Sequence, residues 1–190
     1  SGMARGIDSV AGIAALQSGS KTVAVLGSGF DRVYPPEKMN LFHTIAQNGV
    51  VITEYPPDMK ALPQNFPRRN RIMAGLSYGA VVTQAPRKSG ALITASYALE
   101  YGRDVYAVPG SMFSTESQGC NDLIRQGAKL VTSYMDIISE YPYFELNTDV
   151  EETVTNSSER ISKIDFDKYN QNQQKIIRLL LQGQCHIDEM

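Results

Sequence analysis

The stretch GAVVTQAPRKSGALITASYALEYGRDVYAV, residues 79–108, decides the fold. Residues 79–83 form an apolar, β-branched run of strand length that reads as a buried parallel strand. Residues 91–101 carry a helical pattern. Residues 104–108 return to a second strand-like run. The loop between the first strand and the helix is Arg87-Lys88-Ser89-Gly90, two bases followed by a helix-start sequence. The unit is therefore strand, basic loop, helix, strand.

The same alternation continues outward. Strands are predicted at 22–26, 50–53 and 129–131, and helices at 7–17, 37–47, 69–76 and 121–126. Strand and helix in strict turn mean an α/β fold: a mostly parallel sheet wound by right-handed crossovers, with helices on both faces. The first helix has no strand before it. Residues 1–8 read as a strand-to-helix loop, so the sheet is expected to lack its N-terminal strand.

Beyond residue 140 the character changes. Residues 141–167 are acidic and weakly periodic and read as a linker. Residues 172–181 are helical, with Ile176, Ile177, Leu179, Leu180 and Leu181 as an apolar stripe, and Gly183 stops the run. The predicted organisation is a body over 1–140, a linker over 141–167, and the start of a truncated winged-helix module over 168–190.

The chain has 190 residues, 42% hydrophobic and 20% charged, and a formal net charge of −2, which fits a soluble globular protein. Residues 1–132 carry net positive charge and residues 133–190 net negative charge, so one pI hides a basic body and an acidic tail. No apolar run reaches the ~18 residues of a membrane span, and no signal-peptide pattern opens the chain. Cys120 and Cys185 fall in segments of different character, which argues against a disulfide framework and for a reducing cytoplasm. His43 and His186 stand at no metal-binding spacing from them, so no metal or cofactor is expected.

Lys60, Arg68, Arg69, Arg71, Arg87 and Lys88 lie in a region, 59–99, that contains no Asp or Glu. Helix amides, a positive dipole end and the Lys88 ammonium would converge on one anion at Ser89, Gly90 and Thr94. Ser89 also suits a plain N-cap. Arg68, Arg69 and Arg71 flank Asn70 at a predicted helix start, where acids are normally preferred, which points to an external anion. Arg68 and Arg71 share a helical face and Arg69 points elsewhere. One of the three fits an internal pair with Glu54. Arg5 is either a further phosphate clamp or a partner for Asp8. Gly27-Ser28-Gly29 after the strand at 22–26 suits either a phosphate contact or a tight turn. A full G-x-G-x-x-G would need glycine where Arg32 stands. Phe66 or Phe30 offers a ring to a nucleobase, against core packing for Phe66. No Ser/His/Asp set is available, and catalytic residues are not expected.

Seven motifs then fall in one order: SGMARGID (1–8), VLGSGFDRVYPP (25–36), TEYP (53–56), FPRRNRIMAGLS (66–77), SGALITA (89–95), GRDVYAVPG (102–110) and GCNDLIRQGA (119–128). In this the chain resembles the DprA/Smf family of bacterial DNA-processing proteins. The resemblance implies an extended Rossmann-like fold that binds single-stranded DNA, forms a homodimer and helps load the RecA recombinase in natural transformation (competence), without catalytic turnover. It maps the family's phosphate pocket onto Arg5 and Lys88, and its F-P-x-R-N-R arginines onto Arg69 and Arg71. The family's first strand and its G-S-R loop have no counterpart here. For the dimer face, the apolar stretches 112–124 and 130–138 are the candidates.

Two rivals follow. One is a nucleotide phosphoribohydrolase of the LOG type, on a related scaffold, whose P-G-G-x-G-T-x-x-E motif supplies a catalytic Glu. The matching register here has no acid before Glu100. The other is a pure protein-interaction scaffold, which predicts no DNA binding at all.

Overall fold

A computed structural model describes residues 1–143 and Gln174. The strands form on the apolar runs: β1 (Val23–Val25), β2 (Val50–Ile52), β3 (Gly79–Val82), β4 (Asp104–Ala107) and β5 (Lys129–Leu130). The helices are α1 (Ile7–Gln17), α2 (Met39–Asn48), α3 (Asn65–Leu76), α4 (Gly90–Glu100), α5 (Gln118–Arg125) and the short α6 (Met135–Ile138). Residues 1–143 fall in one unit, Ser1–Glu145. The expected linker and winged-helix start lie outside the described residues, apart from 141–143 and the helical Gln174.

Every strand pair is parallel, with Val23 opposite Val50, Gly79 opposite Asp104 and Tyr106 opposite Lys129. This is the α/β architecture expected. The strands form two sheets, β1-β2 and β3-β4-β5, rather than one. No strand among the described residues joins β1 to β3. The edge of β1 away from β2 is taken by the first residue: the Ser1 ammonium donates to Val23 O at 2.9 Å, and Val25 N donates to Ser1 O at 2.9 Å.

Each sheet has its own apolar core. Met3, Ala24, Leu26, Val33, Phe42, Ile45 and Val51 surround β1-β2. Val82, Val105, Ala107, Cys120 and Leu123 surround β3-β4-β5, with Ala74 of α3 and Ala95 and Ala98 of α4. Small side chains at these helix positions let α3, α4 and the sheet approach closely. That close packing fixes the start of α4 beside α3.

Two helices begin three or more residues earlier than the sequence pattern predicts. α3 starts at Asn65, not Arg69, and runs through Pro67. Proline is tolerated there because the first four helical N–H groups have no intrahelical partner. α5 starts at Gln118, not Asn121. α6 was not expected; Asp136 organises its start by accepting from Thr132 N at 2.7 Å and Ser133 N at 2.9 Å. Those hydrogen bonds hold the Asp136 carboxyl below its ordinary pKa.

Candidate nucleic-acid interface

Parallel strands deliver their following loops to the same sheet edge, where α/β proteins bind ligands. α3 links the loop after β1 to the loop after β3. Near its start, the Phe66 ring lies against Gly27, and Asn65 Nδ2 donates to Gly27 O at 3.1 Å. Further along, Asn70 Nδ2 donates to Gly90 O at 3.3 Å.

The start of α4 is open. Ser89 is its N-cap, in extended conformation, and its hydroxyl accepts from Ala91 N at 3.2 Å. A Cβ at Gly90 would meet no atom within 4 Å. The Gly90 amide finds no acceptor among the described residues. Thr94 lies one turn on, on the same helical face as Gly90. Lys88 is exposed and has no acidic partner among the described residues. Its neighbour Arg87 is held by Asp122 at 2.9 Å, and the same carboxylate takes Arg125 at 2.6 Å. The loop thus keeps one base for its own fold, and the other meets no acid among the described residues.

The arginines of α3 separate into different roles. Arg68 is exposed, without an acidic partner among the described residues, and so is Lys60. Arg71 is half-exposed and pairs with Glu54, the pairing the sequence pointed to. Arg69 corrects the expectation of a phosphate ligand. It is 4% exposed, and its Nη1 donates to Gly2 O at 2.9 Å and to Val25 O. Burial pulls its pKa down, and the Asp8 charge pulls it up. Asn70 is corrected too: it is buried, and its amide holds the α4 start rather than facing solvent. Because α3 starts at Asn65, the arginines also stand beyond its first few amides. The helix-dipole argument for them therefore falls away.

Gly27, Ser28 and Gly29 are buried, which corrects their assignment to phosphate. Their polar groups are used internally. Thr53 Oγ1 donates to Ser28 O at 2.8 Å, and Gly29 N donates to Met59 O at 2.9 Å. A Cβ at Gly29 would stand 2.0 Å from Pro56 O. The Gly29 φ of −70° suits any residue; the space does not. Gly29→Ala is expected to lower stability by about 2 kcal/mol through this overpacking, read from the urea midpoint.

Arg5 pairs with Glu37 at 2.6 Å, and its Nη1 donates to the Tyr34 hydroxyl at 3.2 Å. Asp8 is engaged elsewhere: its Oδ2 accepts from Gly2 N at 3.0 Å and Ala4 N at 3.4 Å. The Arg5–Glu37 pair is exposed on both sides, the solvent-screened kind that contributes little to stability and that an incoming phosphate can displace. Sequence reasoning missed Tyr34, Glu37 and Asp122 as neighbours of these bases. Only contacts between distant segments reveal them.

Comparisons with known proteins identify the family. The family model "DNA recombination-mediator protein A" matches residues 1–142. The chain is 48% identical over 143 residues to the DNA processing protein DprA of Streptococcus pneumoniae, and 44% identical over 142 residues to that of Bacillus subtilis. Each alignment covers 75% of this chain but only 51% and 48% of the relative, so the chain spans about half the length of these proteins. The solved S. pneumoniae DprA superposes with a TM-score of 0.69 at 48% identity, over 73% of this chain and 49% of that one. A DprA from Helicobacter pylori, solved for its single-stranded DNA binding mode, superposes with a TM-score of 0.68 at 30% identity, over 75% of this chain and 64% of that one. The α/β domain is Rossmann-like, as in these structures, and the chain belongs to the DprA/Smf family of DNA recombination mediators.

Proposed function

We propose that this chain binds single-stranded DNA through its phosphates at the open start of α4. Lys88, Ser89, Gly90 and Thr94 hold one phosphate, and Arg68, Arg71 and Arg5 line the strand's path. The observation that carries this is the exposed Lys88, without an acidic partner among the described residues, beside an open helix start, among bases with no acid in the surrounding sequence. Lysine and arginine meet phosphates rather than base edges, so the binding tolerates any sequence. The kinship supports the wider role: a cytoplasmic homodimer that processes incoming DNA in transformation and helps load RecA. Exposed apolar side chains at Met112, Phe113, Leu130, Tyr134 and Met135 suit the dimer contact or the contact with RecA. No helix among the described residues is long and apolar enough to cross a membrane.

The hydrolase reading finds no support at the same place. Glu100 closes α4, about 15 Å along the axis from the anion site at its start.

Fluorescence anisotropy of a labelled oligo-dT across a salt series tests the proposal. With about four phosphates neutralised, log affinity is expected to fall against log salt with a slope near −3. Absence of binding, or affinity indifferent to salt, overturns it.

A further inference from the structure

Tyr34 lies between Arg5 and the first turn of α3. The residue is 40% exposed. The Phe66 ring supports it from within, at 5.4 Å between centroids and a tilt of 52°. Phe66 is itself fixed between Gly27 and the Arg69 guanidinium, whose Cζ stands 5.9 Å from its centroid. Arg5 bonds the Tyr34 hydroxyl while its Cζ stands 5.6 Å from the ring centroid. That distance puts the guanidinium toward the hydroxyl end of the ring, not close above its centre. An exposed part of the ring is therefore left beside a cation, on a backing that cannot easily move.

This arrangement suits a unit made of one flat aromatic group and one phosphate. Single-strand binders combine a basic track with rings on which bases stack. Phe66, for which the sequence leaves stacking and core packing both open, is the inner member of the pair. Tyr34 is the outer one.

We propose that Tyr34 is a nucleobase-stacking platform, with Arg5 leaving Glu37 to take the adjoining phosphate. The proposal rests on the single-stranded DNA reading above. It adds a base contact to a surface otherwise read as binding phosphates only.

The chain contains no tryptophan, so Tyr34→Trp introduces a unique fluorophore at the platform. Its emission is expected to be quenched as oligo-dT saturates the full chain. Tyr34→Ala is expected to weaken oligo-dT binding about tenfold with the salt slope unchanged, while Tyr34→Phe binds within about twofold of wild type. On an abasic strand of equal length the Tyr34→Ala penalty disappears, because phosphates remain and bases do not. Binding by anisotropy without quenching, or an equal penalty on the abasic strand, overturns the stacking role and leaves the DNA reading standing. Equal losses in Tyr34→Phe and Tyr34→Ala would make Tyr34 only a hydroxyl that positions Arg5, and would also overturn it. If the wild type binds no single strand, the DNA reading and the platform fall together.

Discussion

Lys88→Glu is expected to weaken oligo-dT binding by about 100-fold or more at moderate salt, with the fold intact. A charge-assisted hydrogen bond contributes about 1.5–3 kcal/mol, so losing it alone costs roughly tenfold or more. Reversal adds repulsion: two like charges about 4 Å apart near a protein surface interact by up to about 4 kcal/mol before salt screening. Stability should not suffer. Lys88 is exposed and holds no acidic partner among the described residues, so nothing internal is lost. A carboxylate beside the start of α4 also complements its dipole by about 0.3–1 kcal/mol. The variant should therefore bind worst while unfolding no earlier in urea, a pairing that misfolding cannot imitate. Arg87→Ala is the internal contrast. Arg87 is engaged by Asp122, so its removal should cost binding far less. Wild-type affinity in Lys88→Glu would move the DNA site away from α4.

The frame of this fold was legible because strands buried in a parallel sheet are written as short β-branched runs. β2, β3, β4 and β5 each end one residue before the predicted run does, and α1 matches it from Ile7 to Gln17. The division into two sheets was not legible, since pairing between strands leaves no periodic mark. The surroundings of the candidate site were half legible. A capping serine and an acid-free basic loop are local signals, and they mark Ser89 as the α4 N-cap and Lys88 as an exposed base beside it. The arginines of α3 were not separable by local signals. Arg68 and Arg69 differ by one position on a helix, yet one faces solvent and the other is buried. From sequence Gly27 and Gly29 suit either a phosphate contact or a tight turn; the space beside them is filled by the Phe66 ring and by the backbone at Pro56. A glycine shows only that something comes close. Only the fold says whether it is ligand or protein.

Arg69→Ala is expected to lower stability by about 3 kcal/mol while leaving the salt slope of DNA binding as in wild type. The guanidinium bonds the carbonyls of Gly2 and Val25, which belong to segments far apart in sequence. Val25 ends β1, and its carbonyl finds this side chain where a neighbouring strand would otherwise donate. Removing the guanidinium leaves two buried acceptors unpaired, at about 1–3 kcal/mol each, and takes packing from the Phe66 ring. Relief from burying a charge offsets part of this, since burial already lowers the Arg69 pKa. Against a total of about 5–15 kcal/mol for an ordinary domain, the loss is large. Arg69→Lys should recover only part of it: a single ammonium can donate to both carbonyls, as Nη1 does, but it lacks the guanidinium plane that lies against the Phe66 ring. Urea unfolding followed by circular dichroism measures the first effect, and oligo-dT anisotropy on the folded variant measures the second. If Arg69 were a phosphate ligand, the opposite pattern would appear: unchanged stability, and a salt slope shallower by about 0.7. The two outcomes separate an arginine that holds β1 to the chain's first residues from one that holds DNA, a distinction the motif alone does not make.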